Sequence, residues 1–142
     1  MVDEPSEFIV AESIDEQVLE SILRGLREHS LAFTKSPGFL PLVLSARGAE
    51  NQVVAGVIGR VNWNWLYVEL FWVDESLRGR GMGRALLSRL EAEGRKRGCE
   101  RAHVDTFSFQ ARSFYERCGY QVFGCLEDYP PGHQRVFLQK GL

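Results

Sequence analysis

Between positions 78 and 84 the chain reads Arg78-Gly79-Arg80-Gly81-Met82-Gly83-Arg84, three arginines and three glycines in seven residues. That mixture suits an anion. Glycine carries no Cβ, so backbone N–H groups can come close to a ligand. If a helix opens here, its unpaired first-turn N–H groups and the positive end of its dipole face the same ligand. The expected ligand is a diphosphate-bearing cofactor. Two carboxylates stand in apolar runs, Glu69 in Leu66-Tyr67-Val68-Glu69-Leu70-Phe71-Trp72-Val73 and Asp105 in His103-Val104-Asp105-Thr106. A buried carboxylate without a partner is costly, so each needs a partner or a task as proton acceptor or substrate ligand. Two-residue alternation puts Glu69 on one face with Phe71 and Val73. Further polar groups crowd Glu127, Asp128, Tyr129 and His133, around the stiff sequence Pro130-Pro131-Gly132.

The elements that must position these groups follow from periodicity. Phe8-Ile9-Val10-Ala11 reads as a first short strand. Ile14, Val18, Leu19, Ile22, Leu23 and Leu26 recur at helical spacing, which predicts a helix from about Asp15 to His29. Ser30 to Gly38 reads as either a short second helix or a loop, with a break at Pro37-Gly38. Leu40 to Ala46, Gln52 to Val61 and Trp65 to Val73 are strand-like. The glycine loop then opens a helix ending at Gly98, with Met82, Leu86 and Leu90 on one side and Arg84, Ser88, Glu91 and Arg95 on the other. Glu91 with Arg95 and Glu93 with Arg97 have ion-pair spacing, each worth about 0.3 kcal/mol. Ala102 to Phe107 is a strand. Phe109 to Arg117 is a short helix, with Ser108 as its N-cap and Gly119 as its stop. Tyr120 to Leu126 and Gln134 to Gln139 are the last strands. The pattern is α/β, antiparallel first and β-helix-β-helix-β afterwards.

The loop is neither of two better-known phosphate motifs. A dinucleotide fingerprint is G-x-G-x-x-G after a first strand, and a P-loop needs Gly-Lys followed by Ser or Thr. Arg78, Gly81 and Gly83 instead form R-x-x-G-x-G, followed by Ala85-Leu86-Leu87. This resembles the pyrophosphate-binding motif of the GNAT superfamily of N-acetyltransferases. A second stretch, Ala111-Arg112-Ser113-Phe114-Tyr115-Glu116-Arg117-Cys118-Gly119-Tyr120, is similar to that family's later A-x-x-F/L-Y-x-x-x-G-F/Y motif. Order and spacing both match, and the resemblance covers nearly the full chain. It implies a single domain over residues 1–142, with a mixed, mostly antiparallel central sheet of about six to seven strands flanked by helices.

The resemblance also implies an activity and a set of roles. Acetyl-CoA would be the co-substrate, with no metal, and a small-molecule or peptide amine the acceptor, attacking directly in a ternary complex. Backbone amides from Arg80 to Arg84 would hold the pyrophosphate, with Gly79 in the same loop and Arg78 at the family's Gln/Arg position. The backbone of Trp72 and Val73 would pair with the pantetheine arm and polarise the acetyl carbonyl. Tyr115 would protonate the departing thiolate, and Ala111 and Phe114 belong to the motif that carries it. Ser108 stands where the family usually has Asn and would hydrogen-bond the pantetheine arm. Glu69 is the candidate base. The alternative readings are a binding module of the same fold that holds acyl-CoA without turnover, and a general nucleotide-phosphate domain.

Composition narrows the rest. The 142 residues are 44% hydrophobic and 25% charged, in the ordinary range for a globular domain. A net charge of −2 argues against general nucleic-acid binding. No apolar stretch approaches the ~20 residues of a membrane span. Met1-Val2-Asp3-Glu4-Pro5 lacks the signal-peptide pattern, so a cytoplasmic location is expected. Cys99, Cys118 and Cys125 form no C-x-x-C pair and read as reduced thiols. His29, His103 and His133 show no zinc-ligand spacing, and no metal site is expected. The sequence leaves a homodimer open.

Overall fold

The computed structural model describes residues 8–36 and 39–142. They fall into two compact units, divided after Pro37. In the first unit, α1 spans Glu16–Thr34. The Asp15 carboxylate caps it, accepting from the N–H groups of Gln17 at 2.9 Å and Val18 at 3.1 Å. These are two of the donors that a helix start leaves without intrahelical acceptors. The helix continues through Ser30 and ends at Lys35, which adopts a left-handed φ of 59°. Residues 30–34 therefore extend the first helix and do not form a second one. The expected break at Pro37-Gly38 lies outside the described residues. Phe8 to Ala11 is not a strand. Among the described residues no strand pairs with it, and an apolar extended segment without a ladder gains nothing from strand geometry.

The second unit is a six-stranded sheet in the order β1-β2-β3-β4-β6-β5. The strands are β1 (Phe39–Arg47), β2 (Val53–Asn62), β3 (Trp65–Val73), β4 (Arg101–Phe107), β5 (Gln121–Glu127) and β6 (Gln134–Gly141). All neighbours pair antiparallel except β3 with β4, which is parallel. The parallel pair needs a crossover, and α2 (Met82–Lys96) supplies it. The shorter α3 (Arg112–Arg117) links β4 to β5.

α2 buries Leu87, Leu90, Glu91 and Gly94 against the sheet. Leu66, Val68, Val57, Val104, Val136 and Leu138 complete the core beneath it. The helix lies close to the strands. A Cβ on Gly59 would sit 3.1 Å from Leu90, and one on Gly94 would sit 3.2 Å from Leu66. This stripe corrects the sequence-based assignment of faces. Glu91 points inward, and Lys140 of β6 donates to its two oxygens at 2.6 and 3.0 Å, in place of the expected Arg95. Glu93 does pair with Arg97, at 2.7 Å.

One irregularity sets the geometry of the centre. Ile58 of β2 lies opposite Leu70 of β3, but the next residue, Gly59, lies opposite Val68. Glu69 is therefore an extra residue with no ladder position opposite it on β2, a β-bulge. Past it the alternation of β3 is out of step: Leu66 and Val68 are buried before the bulge and Val73 after it. The expected sharing of one face by Glu69, Phe71 and Val73 is thus wrong, because strict alternation does not survive the extra residue. On the other side, pairing with β4 ends at Val68 and Val104. From Glu69 onward no strand among the described residues pairs with β3 on that side, while β4 continues to Phe107.

Candidate active site

The divergence of β3 and β4 opens a cavity of about 870 Å³. Its back wall is β3 from Val68 to Val73. Facing it are Val104, Asp105 and Thr106 of β4 and the start of α3. At one end lies the glycine loop. β3 leads through a 3-10 turn at Glu75–Leu77, capped by the Asp74 carboxylate, into residues 78–81. Arg78 is held in place there, its Nε donating to the carbonyl of Val73 at 3.0 Å. Gly81 is the N-cap of α2 with a left-handed φ of 82°, and no side chain caps the helix. The first helical bond runs from Ala85 N–H to the Gly81 carbonyl at 3.0 Å. The N–H groups of Met82, Gly83 and Arg84 precede it and have no intrahelical acceptor, which is the arrangement that receives an anion. A Cβ placed on Gly79 or Gly81 would meet nothing within 4 Å, so the loop's outer side is open.

Most of the residues singled out from sequence line this one cavity. Glu69, Trp72, Val73 and Arg78 do so from the strand side. Gly79, Gly81, Gly83 and Arg84 do so from the loop and α2, and Ala111, Phe114 and Tyr115 from α3. Arg80, Met82 and Ser108 are not part of its wall. Ser108 is also not the cap of α3, which begins four residues later after a turn. Its hydroxyl instead accepts from Gln134 N–H at 3.0 Å, tying the end of β4 to the start of β6. Thr106 does part of the expected task, accepting from Ala111 N–H at 3.3 Å.

Tyr115 is 4% exposed. Its ring lies edge-on to Phe71, Phe114 and Tyr120, with centroids 6.4, 5.2 and 5.6 Å away. Burial pushes its pKa up, since the phenolate would lose its hydration. The group is held as a neutral phenol, a proton donor at the cavity wall.

Glu69 has a partner that the sequence reading did not find. Arg60 on β2 reaches it twice, through Nε to one oxygen and through Nη2 to the other at 2.7 Å. Asp105 is bound as well: Arg135 of β6 donates to Oδ2 at 2.8 and 2.5 Å, and the Tyr67 hydroxyl donates to Oδ1 at 2.9 Å. Burial and this bond to Asp105 push the Tyr67 pKa up to about 12, so Tyr67 stays a donor. Arg117, which joins Arg78 and Arg84 on the wall, was also missed. It lies 33 residues from Arg84, whose Nη2 donates to its carbonyl at 3.3 Å, and no local pattern announces that contact. For Arg60 there was a signal. The tight turn after Asn62 fixes the β2–β3 register and brings Arg60 opposite Tyr67, two residues from Glu69.

Among the described residues no group of three His, Cys, Asp or Glu side chains is placed to hold a metal ion, and no helix is long and apolar enough to cross a membrane.

Known proteins resemble this chain in sequence and fold. Residues 7–120 match the model of the acetyltransferase (GNAT) family. Blasticidin-S acetyltransferase of Streptomyces morookaense is 43% identical over 98 residues, 68% of this chain and 72% of that protein. An acetyltransferase of Agrobacterium fabrum is 33% identical over 133 residues, 94% of this chain and 97% of its own length. The crystal structure of an acetyltransferase from Bacillus cereus superposes with a TM-score of 0.80 at 30% identity, covering 94% of this chain and 98% of that one.

Proposed function

The chain belongs to the GNAT family of acetyltransferases, and on that premise we propose that it moves the acetyl group of acetyl-CoA to a primary amine by direct attack. The observation that carries this reading is the junction of three parts in one cavity. They are the open helix start at Gly81, the unpaired edge of β3 beyond the bulge, and the buried phenol of Tyr115. The loop binds the pyrophosphate through its N–H groups, with Arg78 and Arg84 adding charge. Beyond Glu69 the free edge of β3 accepts the pantetheine arm as a strand accepts a neighbour. Acetyl-CoA supplies an acyl group activated by its thioester bond. The acceptor nitrogen bonds to the acetyl carbon, the carbon–sulfur bond breaks, Glu69 takes the amine's proton directly or through one water, and Tyr115 gives its proton to the sulfur. No cysteine is needed as a nucleophile: Cys99 is buried, and burial pushes its pKa up, away from the reactive thiolate. A small-molecule acceptor is favoured by the likeness to an enzyme named for blasticidin-S.

Replacing Gly81 tests cofactor binding. Valine resists its left-handed φ of 82° and adds bulk where the pyrophosphate docks. Gly81→Val is expected to weaken acetyl-CoA binding at least tenfold, about 1.4 kcal/mol, by calorimetry. Unchanged affinity in a folded variant would sink the assignment.

The role of Glu69 is tested by pH. An amine with a pKa near ~10.4 is unprotonated in only about one molecule in a thousand near neutrality, a deficit of about 4 kcal/mol. Both Glu69 oxygens accept from Arg60, yet a carboxylate has about four acceptor sites, so some remain for an amine proton. Glu69→Gln is expected to lose rate most at low pH and to approach the parent as the amine deprotonates unaided. A defect constant across pH marks a substrate ligand or a partner for Arg60, and no defect removes Glu69 from the chemistry.

A further inference from the structure

Where β4 ends, next to the cavity, four rings pack into one preorganised group that the transfer chemistry does not use. Phe107 and Phe109 are stacked, with centroids 5.4 Å apart and planes 4° from parallel. Tyr129 meets Phe107 edge-on at 5.5 Å and 82°, and His133 meets Phe109 edge-on at 4.9 Å and 77°. The two edge-on rings come from the β5–β6 loop, which is closed on itself by Tyr129 N–H to the His133 carbonyl at 3.0 Å and His133 N–H to the Pro130 carbonyl at 2.9 Å. Arg135 holds the group from below. Its guanidinium lies 5.7 Å from the Phe107 centroid and 5.3 Å from that of Tyr129, it donates to the Tyr129 hydroxyl at 3.0 Å, and it is itself fixed by Asp105. A single exposed phenylalanine needs no explanation. A stack locked by a loop, an arginine and a carboxylate is different, because Phe109 is still 56% exposed and lines the cavity with Asp105.

We propose that Phe109 is the platform of the acceptor site, and that the acceptors are amines carrying a flat unsaturated ring beside the amino group. This rests on the acetyl-transfer reading and gives its acceptor a chemical class. The ring packs on the exposed part of Phe109, while the amino group reaches into the cavity toward Asp105 and Glu69. The geometry suits this occupant over a linear amine. A flat ring meets a fixed ring at little entropic cost, whereas an alkyl chain must be ordered to make the same contact. The carboxylates of Glu69 and Asp105, held in place by Arg60 and Arg135, line the cavity and keep acceptor lone pairs for the N–H groups of the amine.

The test uses tryptamine and 1-aminopentane as probes. Each is titrated by calorimetry into the full-length protein saturated with coenzyme A, and each is assayed with acetyl-CoA for thiol release. Tryptamine is expected to bind at least tenfold more tightly than 1-aminopentane. That ratio is expected to fall toward one in Phe109→Leu and to persist in Phe109→Trp, which keeps a flat face, with circular dichroism confirming that both are folded. Equal affinities in the parent protein, or a ratio that survives Phe109→Leu, overturn the platform. The two readouts separate its failure from that of the activity. Ring-selective binding with no thiol released from any amine leaves the platform standing and removes the transferase reading. Thiol release from both amines without selectivity in binding or in kcat/KM does the reverse.

Discussion

Tyr115→Phe is expected to lower kcat about a hundredfold while leaving acetyl-CoA affinity unchanged, the lower end of what a positioned acid contributes. The substitution keeps the ring and its edge-on contacts with Phe71, Phe114 and Tyr120, and so keeps the wall of the cavity. Only the proton donor is lost. A thiol has a pKa near ~8.5 and a phenol near ~10, so proton transfer from phenol to a developing thiolate is uphill in water, and close positioning must compensate. Burial raises the Tyr115 pKa, which favours the neutral form and keeps the donor loaded at every pH below its already high value. Loss of activity on the alkaline side below about pH 10 therefore has to come from another group. An interaction that develops only as the sulfur departs appears in kcat and kcat/KM together. Single-turnover measurements with saturating amine and acetyl-CoA check the expectation, and parent-like rates under chemistry-limited conditions rule out an essential acid.

The second large effect is on stability. Lys140→Met is expected to cost about 3 kcal/mol or more, because it leaves the Glu91 carboxylate, 5% exposed, charged and alone between α2 and β6. The same removal at Arg97, 36% exposed and paired with Glu93 on the outer side of α2, is expected to cost under about 1 kcal/mol. Replacing both partners, Glu91→Leu with Lys140→Met, is expected to recover most of the loss, since a buried pair is often matched by apolar groups of similar volume. Recovery has one complication in this fold. The Lys140 ammonium also lies 5.5 Å above the Tyr120 ring, and the buried Tyr120 hydroxyl has no hydrogen-bond partner among the described residues. Urea midpoints for the two single variants and the double variant measure the coupling. Equal losses for Lys140→Met and Arg97→Ala would mean that Glu91 is solvated.

The sequence read most clearly where local chemistry and long-range structure ask for the same residue. The glycine loop was legible because a left-handed N-cap that leaves the helix start open requires glycine at Gly81. β3 was legible to its ends, Trp65 and Val73, because a strand covered on one side by α2 is apolar for most of its length. Errors arose where a tertiary partner overrode a local pattern. Glu91 looked like a solvent-facing half of an i,i+4 pair until Lys140, 49 residues away, took it inward. Ser108 had the chemistry of a helix cap, but the strand ending beside it offered Gln134 first. Phe8 to Ala11 had the composition of a strand and found no ladder. The cavity wall followed the same division: the glycine loop and the end of β3 were visible from residue type and spacing, whereas the Arg60–Glu69 pair, the Arg84–Arg117 contact and the packing of Tyr129 and His133 on Phe107 and Phe109 exist only through contacts between different elements.

The extra residue in β3 gives the cleft an unusual basis in the chain. The opening between β3 and β4 depends less on the identity of any side chain than on a count: β3 is one residue longer than its match on β2 at Ile58 and Gly59. A substitution at Glu69 changes a side chain on the wall but leaves the count unchanged. A deletion there would bring β2 and β3 back into phase and restore regular alternation along β3 at the point where its pairing with β4 ends. The shape of the cleft is thus tied to a mismatch in length between neighbouring strands rather than to one side chain.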